Sequence, residues 1–117
     1  MRHLRLLAIA LLLAGCTRIP MDYSLDTAYE AYYQGDCDKA LMELSRAERF
    51  SRSRSYIQPE ISLLRGHCLE RQGLFVDAAQ TYRFILQRYP TSEYAYRARA
   101  RLQTLASLGH ASEAEAK

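Results

Sequence analysis

Tryptophan is absent from the 117-residue sequence, and histidine occurs at only three positions. The chain also lacks a glycine-rich phosphate loop, a paired-cysteine metal spacing and a His-Glu motif. His3 and His110 lie near the two ends, and no serine or carboxylate arrangement near His67 suggests a catalytic triad. We therefore predict that the protein is not an enzyme, and we expect no catalytic residue, no metal and no cofactor.

Long hydrophobic runs are also lacking. The longest, from Leu6 to Ala14, is shorter than the roughly 20 residues that a helix needs to cross a bilayer. Arg2 and Arg5 precede this run, and small residues follow it. A basic start, a short apolar core and a small-residue processing site, in that order, are typical of an export signal. The sequence therefore predicts a signal peptide over residues 1–15.

The processing site consists of Leu13, Ala14, Gly15 and Cys16. It resembles the lipobox of bacterial lipoproteins, in which small or aliphatic residues precede a cysteine that carries the lipid. The resemblance implies that Cys16 becomes the lipidated first residue of the mature chain, and several acyl chains would hold that residue durably on a membrane. The alternative is an ordinary secretory signal in which Cys16 is incidental.

The charge of the mature chain is nearly balanced. Removal of residues 1–15 takes away Arg2 and Arg5, which leaves 14 of the 16 basic residues against 13 acidic ones, a net charge of about +1. An exported domain without a basic excess is not expected to bind nucleic acid. In lipoprotein sorting, aspartate after the lipidated cysteine signals inner-membrane retention. Thr17 therefore favours the outer membrane, facing the periplasm, with the outer leaflet of the inner membrane as the alternative.

The rest of the chain divides into helix-length pieces without an alternating strand pattern. Gly35 and Gly73 stand where helices end, Pro59 suits a first helical turn, Pro90 closes the fourth helix, and Ser92 can cap the fifth. The five predicted helices cover about 22–34, 37–50, 59–72, 75–88 and 92–108. In this division residues 16–21 are a lipidated tether, 22–108 a helical-repeat domain and 109–117 a flexible tail.

The helices repeat in pairs. Gly35 and Gly73 each follow a glutamine, and Ala40 and Ala78 stand five residues after them, with an offset of 38 residues in both cases. Equivalent helix pairs at a spacing of 20 to 50 residues predict a solenoid, in which each unit buries its apolar face against its neighbours.

Residues 59–92 resemble one unit of the tetratricopeptide repeat family. The family's small, turn, small, aromatic and terminal-proline positions are occupied by Gly66, Gly73, Ala78, Tyr82 and Pro90. Ser62, Arg65 and Ile85 depart from the pattern. The resemblance implies an all-α fold, a short tetratricopeptide-like solenoid of two helix pairs plus a C-terminal capping helix.

Residues 21–54 fit the same pattern less closely, and the positions that fit are Ala28, Gly35, Ala40, Leu44 and Ala47. Arg52 stands where the unit would carry its proline. The aromatic, proline and hydroxyl residues of the segment 87–94 add a likeness to small outer-membrane lipoproteins of envelope assembly.

Two cysteines, Cys37 and Cys68, remain in the mature chain. An even count in an oxidising compartment favours a disulfide, and the predicted fold places both at neighbouring helix ends. The alternative is two buried free thiols that pack as small apolar residues.

The nine tyrosines are many for a chain of this size, and tyrosine is common at interfaces because it loses little side-chain entropy on binding. The tetratricopeptide resemblance implies a binding groove along the first helix of each pair. Carried over residue by residue, the groove is Leu25, Tyr29, Tyr32, Tyr33, Leu63, His67, Glu70, Arg71, Tyr94, Arg97 and Arg101. In the alternative, Tyr29 and Tyr32 pack inside the first pair.

Together these resemblances imply a membrane-anchored periplasmic scaffold or adaptor that binds an envelope protein or peptide segment. A groove with tyrosines at one end and arginines at the other suits a segment with an apolar anchor and an acidic end. The alternative is a structural lipoprotein that assembles with itself or associates with the cell wall. The oligomeric state is left open.

Overall fold

The structure is a computed structural model, and apart from Met1 it describes residues 18–111. The predicted signal peptide, the lipidation site Cys16 and residues 112–117 of the predicted tail lie outside the described residues. Within residues 18–111, no helix is long and apolar enough to cross a bilayer.

Five α-helices account for nearly all of the described chain: α1 (Arg18–Tyr33), α2 (Cys37–Phe50), α3 (Gln58–Arg71), α4 (Phe75–Arg88) and α5 (Glu93–Ser107). A short 3-10 turn, Ser55–Ile57, precedes α3, and residues 18–111 contain no strand. The prediction of an all-α fold with five helices is confirmed.

Three of the helices end in the same way. Gly35, Gly73 and Gly109 follow α1, α3 and α5 with positive φ angles of 82°, 74° and 76°, a conformation that glycine adopts without steric cost. After α1, the N–H of Asp36 donates to the carbonyl of Ala31 at 2.8 Å, the 6→1 bond of a Schellman motif. Corresponding bonds follow α3 and α5. The structural repeat therefore includes α5, whose closing glycine stands 36 residues after Gly73.

The N-termini of the helices are stabilised in different ways. Asp36 caps α2 by accepting a hydrogen bond from the N–H of Lys39, and Ser92 caps α5 by accepting one from the N–H of Ala95. Pro59 lies in the first turn of α3, where no intrahelical N–H is needed.

The first helix begins earlier than predicted. Residues 18–21, which the sequence assigns to a tether, are helical. Met21 is 1% exposed and packs in a cluster with Leu44 and Ile61. The prediction was wrong over these residues because Met21 is buried by α2 and α3, which are distant in the sequence.

Consecutive helices pack against each other, and α3 also contacts α1 and α5. Helices α1, α3 and α5 therefore form one layer, with α2 and α4 on the other side. The connections between the helices lie at two opposite ends of the molecule. The three glycine turns lie at one end, which we call the glycine end. The longer connections at 51–57 and 89–92 lie at the other, which we call the loop end.

The core has two main parts, one on each side of α3. Leu64 and Ile61 of α3 pack with residues of α1 and α2, whereas Leu63 packs with residues of α4 and α5. A helix that is covered on two sides in this way lacks a clear polar face. This explains why the phase of α3 is hard to predict from the pattern of apolar residues.

The helix pairs differ where they approach most closely. Ala28 and Leu44 are fully buried in the first pair, and the positions 38 residues later are Gly66 and Tyr82. A Cβ atom at position 66 would overlap the ring of Tyr82. Gly66 therefore makes room for the aromatic ring.

The first residues of the predicted tail are packed. The ring of His110 stacks on Phe75 with 3.8 Å between centroids, and Ala111 is partly buried against the core. Residues 109–111 therefore close the glycine end beside the start of α4. The description of these three residues as flexible is corrected by these contacts.

Candidate protein-binding face

A cleft of about 340 Å³ lies where α1, α3 and α5 meet, and we call it the Tyr32 cleft. Its lining residues are Tyr32, His67, Glu70, Arg71 and Arg101. Positions 67, 70 and 71 share one face of α3, because residues three and four apart in a helix are neighbours. All five residues belong to the predicted groove, so the structure brings together side chains from three helices.

Tyr32 and Arg71 join α1 to α3. The guanidinium carbon of Arg71 lies 3.7 Å from the centre of the Tyr32 ring, and Nη1 donates a hydrogen bond to the Tyr32 carbonyl oxygen. The neighbouring Tyr33 ring meets Tyr32 edge-on at 5.7 Å and is 78% exposed. Tyr33 therefore offers an aromatic surface to solvent, backed by a cation–π pair.

Glu70 joins α3 to α5. Arg101 donates to both carboxylate oxygens of Glu70, with 2.9 Å between Nε and Oε1, and the hydroxyl of Tyr82 donates to Oε1 at 2.6 Å. Burial is the largest influence on the pKa of Glu70 and raises it, but the bonds from Arg101 and Tyr82 together hold that pKa below its ordinary value. Glu70 is thus ionised and fixes Arg101 in a bidentate pair.

His67 lies between two phenol rings, with its ring centre 6.1 Å from those of Tyr32 and Tyr82. Burial lowers the pKa of His67 below its ordinary value of 6.5. Among nearby charges, Glu70 raises this pKa and arginines, Arg101 first, lower it. The imidazole is therefore neutral at pH 7 and contributes a flat polar ring to the cleft.

A second contact between α1 and α3 lies nearer the loop end. The hydroxyl of Tyr29 donates to Oε1 of Glu60 at 2.9 Å. The pKa of Tyr94 is raised to about 12, by burial first and then by the charge of Glu60. Glu60 therefore lies close to phenols from both α1 and α5. Glu60 is not among the groove residues predicted from the sequence, because it stands 31 residues from Tyr29 and no local pattern marks the contact.

The remaining predicted groove residues have mixed positions. Leu25 is half-buried against the first core cluster. Leu63 is 5% exposed and belongs to the core, so its assignment to the groove was wrong. Arg97 is exposed, 3.5 Å from Glu93 and 5.9 Å from the centre of the Tyr94 ring.

The alternative that Tyr29 and Tyr32 pack inside the first helix pair is partly supported. Both rings pack partly against the core. The Tyr29 hydroxyl donates to Glu60 of α3, and the Tyr32 backbone carbonyl accepts a hydrogen bond from Arg71 of α3. The tyrosines thus serve as both core and surface. The face remains aromatic on the α1 side and basic on the α5 side, although Glu70 neutralises Arg101.

Cys37 and Cys68 are neighbours, as predicted from the helix ends. Both are buried and pack beside Ala31 and Ala40. Burial, and then Cys37, raise the pKa of Cys68 to about 12. Both are free thiols in the structure, and the disulfide stays a prediction.

A larger cleft, of about 570 Å³, lies on the other side of the molecule between α2, α3 and α4. Its central carboxylate, Glu48, accepts hydrogen bonds from Gln58 at 2.7 Å and from Arg65 at 3.1 Å. These groups satisfy each other, and among the residues that line this cleft only Phe84 is aromatic. The α1, α3 and α5 layer is therefore the stronger candidate for a binding face.

Comparisons with protein-family models, curated proteins and solved structures give no match for this chain. The functional assignment therefore depends on the sequence motifs and the geometry of the site.

Proposed function

We propose that the protein is a lipoprotein anchored through Cys16, facing the periplasm from the outer membrane, that binds an envelope protein through the face of α1, α3 and α5. It acts as a scaffold or adaptor without catalytic function. The observation that carries this proposal is the Tyr32 cleft, where aromatic and basic groups from three helices converge. Aromatic residues and arginine are enriched at the centres of protein interfaces.

The repeated helix ends support a solenoid of the tetratricopeptide type. Gly35, Gly73 and Gly109 close the three helices of one layer with the same backbone motif. In a solenoid, the layer made by equivalent helices is continuous and is available to a partner. The fifth helix then caps the array as the first half of a third unit.

The chemistry of the face favours a segment with an apolar anchor and an acidic group. Tyr33 is exposed and loses few rotamers on binding. Arg71 and Arg97 present guanidinium groups beside aromatic rings. We expect the tyrosine to supply much of the affinity and the arginines to orient the bound segment.

The test compares two double variants in cells. The first variant combines Tyr33→Ala with Arg97→Ala and removes one contact from each side of the face. The control combines Tyr96→Ala with Arg99→Ala, which removes the same residue types at positions of α5 outside the predicted groove. Truncation of an interface hot spot costs about 2 kcal/mol or more, so the first variant should lose at least about 30-fold in partner affinity.

A photo-crosslinking residue identifies the partner, whose affinity for the two double variants is then compared by pull-down. Placed at position 33, it should capture an envelope protein in the wild-type background, and capture should fall in the Arg97→Ala background. Placed at position 96, which is 75% exposed, it serves as the control. Equal capture of the same protein from both positions would contradict the proposed face.

A further inference from the structure

The loop end carries arginines that form no ion pair with the described acidic residues. Within residues 18–111, no carboxylate lies within ion-pair distance of Arg49, Arg52 or Arg88. Arg49 and Arg52 lie with Tyr89 around a shallow cleft where α2, α3 and α4 have their ends. These arginines are exposed. The loop end therefore presents positive charge to whatever approaches it.

Several carboxylates near this end are engaged. Glu48 pairs with Arg65, and Glu93 lies 3.5 Å from Arg97. Asp22, in the second turn of α1, also has an interaction of its own. These three carboxylates are thus not available to cancel the positive charge of the arginines.

Apolar side chains are also exposed at the loop end. Ile19 and Tyr23 stand four residues apart on α1 and are 75% and 69% exposed. Phe50 ends α2, and Tyr56 in the 3-10 turn is 71% exposed. Tyrosine with a polar tip and arginine with a long apolar stem are both suited to the boundary between water and lipid.

The position of the lipid attachment brings this end to a bilayer. This step rests on the proposed lipidation of Cys16. Only two chain steps separate Cys16 from Arg18, the first residue of α1. A step spans at most about 3.6 Å, so α1 starts within about 7 Å of the lipidated residue. The contact of Arg54 with Met21 Sδ, at 3.8 Å, places the 51–57 connection beside the start of the same helix.

We propose that the loop end docks on anionic phospholipid headgroups of the membrane that holds the Cys16 acyl chains. Arg49, Arg52 and Arg88 bind the phosphates, and Tyr23 and Tyr56 lie at the headgroup level. Because the lipid anchor keeps this surface close to the bilayer, contacts that are weak one by one are sufficient to orient the domain. The glycine end then points away from the membrane.

The absence of tryptophan from the chain makes a direct test possible. Tyr56→Trp and Tyr33→Trp each introduce a single fluorescent reporter at an exposed tyrosine, one at the loop end and one near the glycine end. The full chain is produced in bacteria, purified from membranes, checked for the lipid by intact mass, and placed in vesicles that contain brominated phosphatidylcholine with or without phosphatidylglycerol.

We expect the reporter at position 56 to be quenched several-fold more strongly than the one at position 33, and only when phosphatidylglycerol is present. Added Arg49→Gln and Arg52→Gln substitutions should reduce quenching at position 56 to the level of position 33. Arg49→Lys with Arg52→Lys should retain it, because phosphate attraction at a membrane surface needs the charge. Lys39→Gln, at the glycine end, is the matched control and should change nothing.

Quenching that is equal at the two positions, or that is independent of phosphatidylglycerol and of the arginines, would overturn the proposal. A response at position 56 to soluble polyglutamate but not to the vesicles would assign the surface to an acidic protein and would also overturn it. A chain without the lipid mass would instead refute the proposed anchor, so the two failures are distinguishable.

Discussion

At position 66 only a hydrogen fits between α3 and the ring of Tyr82. Glycine inside a helix costs about 1 kcal/mol relative to alanine. In this protein the glycine lets Tyr82 lie flat against α3, where its hydroxyl reaches Glu70. One small residue in the core thereby positions a carboxylate of the binding face.

Gly66→Ala should therefore destabilise the protein by about 1–3 kcal/mol through overpacking, although alanine is the better helix former. Urea denaturation provides the measurement. In a Tyr82→Leu background, which recreates the Ala28 and Leu44 pair of the first unit, the same change at position 66 should be neutral or stabilising. A stabilising Gly66→Ala in the presence of Tyr82 would contradict the packing described for this pair.

His67 makes stability depend on pH. Its folded-state pKa is lowered from 6.5, so between the two pKa values the unfolded chain binds more protons than the folded chain. The free energy of unfolding is therefore greatest above pH 6.5 and falls as the pH drops through 6.5 towards the folded-state pKa. His67→Gln should flatten this part of the profile.

Chemical denaturation at a series of pH values tests the assignment, with His110→Gln as the control from outside the cleft. The lowered pKa values of Glu48 and Glu70 act in a separate range, because they cost stability only below their ordinary value of 4.5. An unchanged slope just below pH 6.5 in the His67→Gln protein would show that another group titrates there.

The ends of the helices could be predicted from the sequence because the residues that start or stop a helix act locally. Glycine after α1 and α3, proline in the first turn of α3 and serine before α5 each act on backbone groups within one turn. Gly109 carries the same signal, and its spacing from Gly73 could have shown that α5 ends like the other two helices of its layer.

The faces of the helices could be predicted only in part, because burial depends on distant residues. Leu63 and Leu64 are adjacent and both buried, since α3 has core clusters on two sides. Met21 is covered by side chains from α2 and α3. The bond between Tyr29 and Glu60 spans 31 residues. The pattern of apolar residues does not encode such pairings.

The cysteine pair links the start of α2 to the last turn of α3. A disulfide between Cys37 and Cys68 would close a loop of about 32 residues and stabilise the protein by roughly 3–4 kcal/mol in the chain-entropy model. The two buried thiols lie in one cluster, as a bond requires, and the oxidising compartment of the proposed location favours it. We predict that the protein isolated from the periplasm is oxidised.

Alkylation in denaturant without reductant, followed by mass spectrometry, gives the redox state. Two modified cysteines in that sample would refute the prediction. In the reduced protein, burial and the raised pKa of Cys68 should make alkylation in the native state much slower than in denaturant. Cys37→Ala in the same assay separates the reactivity of the two thiols.

Lipid attachment at Cys16, on which the proposed location of the whole molecule depends, can be tested directly. Cys16→Ser should abolish incorporation of an alkyne-labelled fatty acid, because lipid attachment needs the thiol and precedes removal of the signal in lipoproteins of this type. The variant should accumulate as an uncleaved or soluble protein. Equal labelling of the wild-type and variant chains would refute the lipoprotein assignment, whereas Cys37→Ser and Cys68→Ser should label normally.

The early start of α1 also limits the distance between the Tyr32 cleft and the membrane that the proposed anchor would hold. A 16-residue helix measures about 24 Å along its axis, and the other helices are of similar length. In the proposed lipoprotein only two chain steps separate the acylated Cys16 from α1, so the anchor would keep the Tyr32 cleft near the membrane. Tyr32 stands about 21 Å along the axis from Arg18, and the two chain steps from Cys16 add about 7 Å. The partner must then present its recognition segment within about 30 Å of the bilayer surface, so we expect segments that adjoin membrane-embedded domains to be the ones captured.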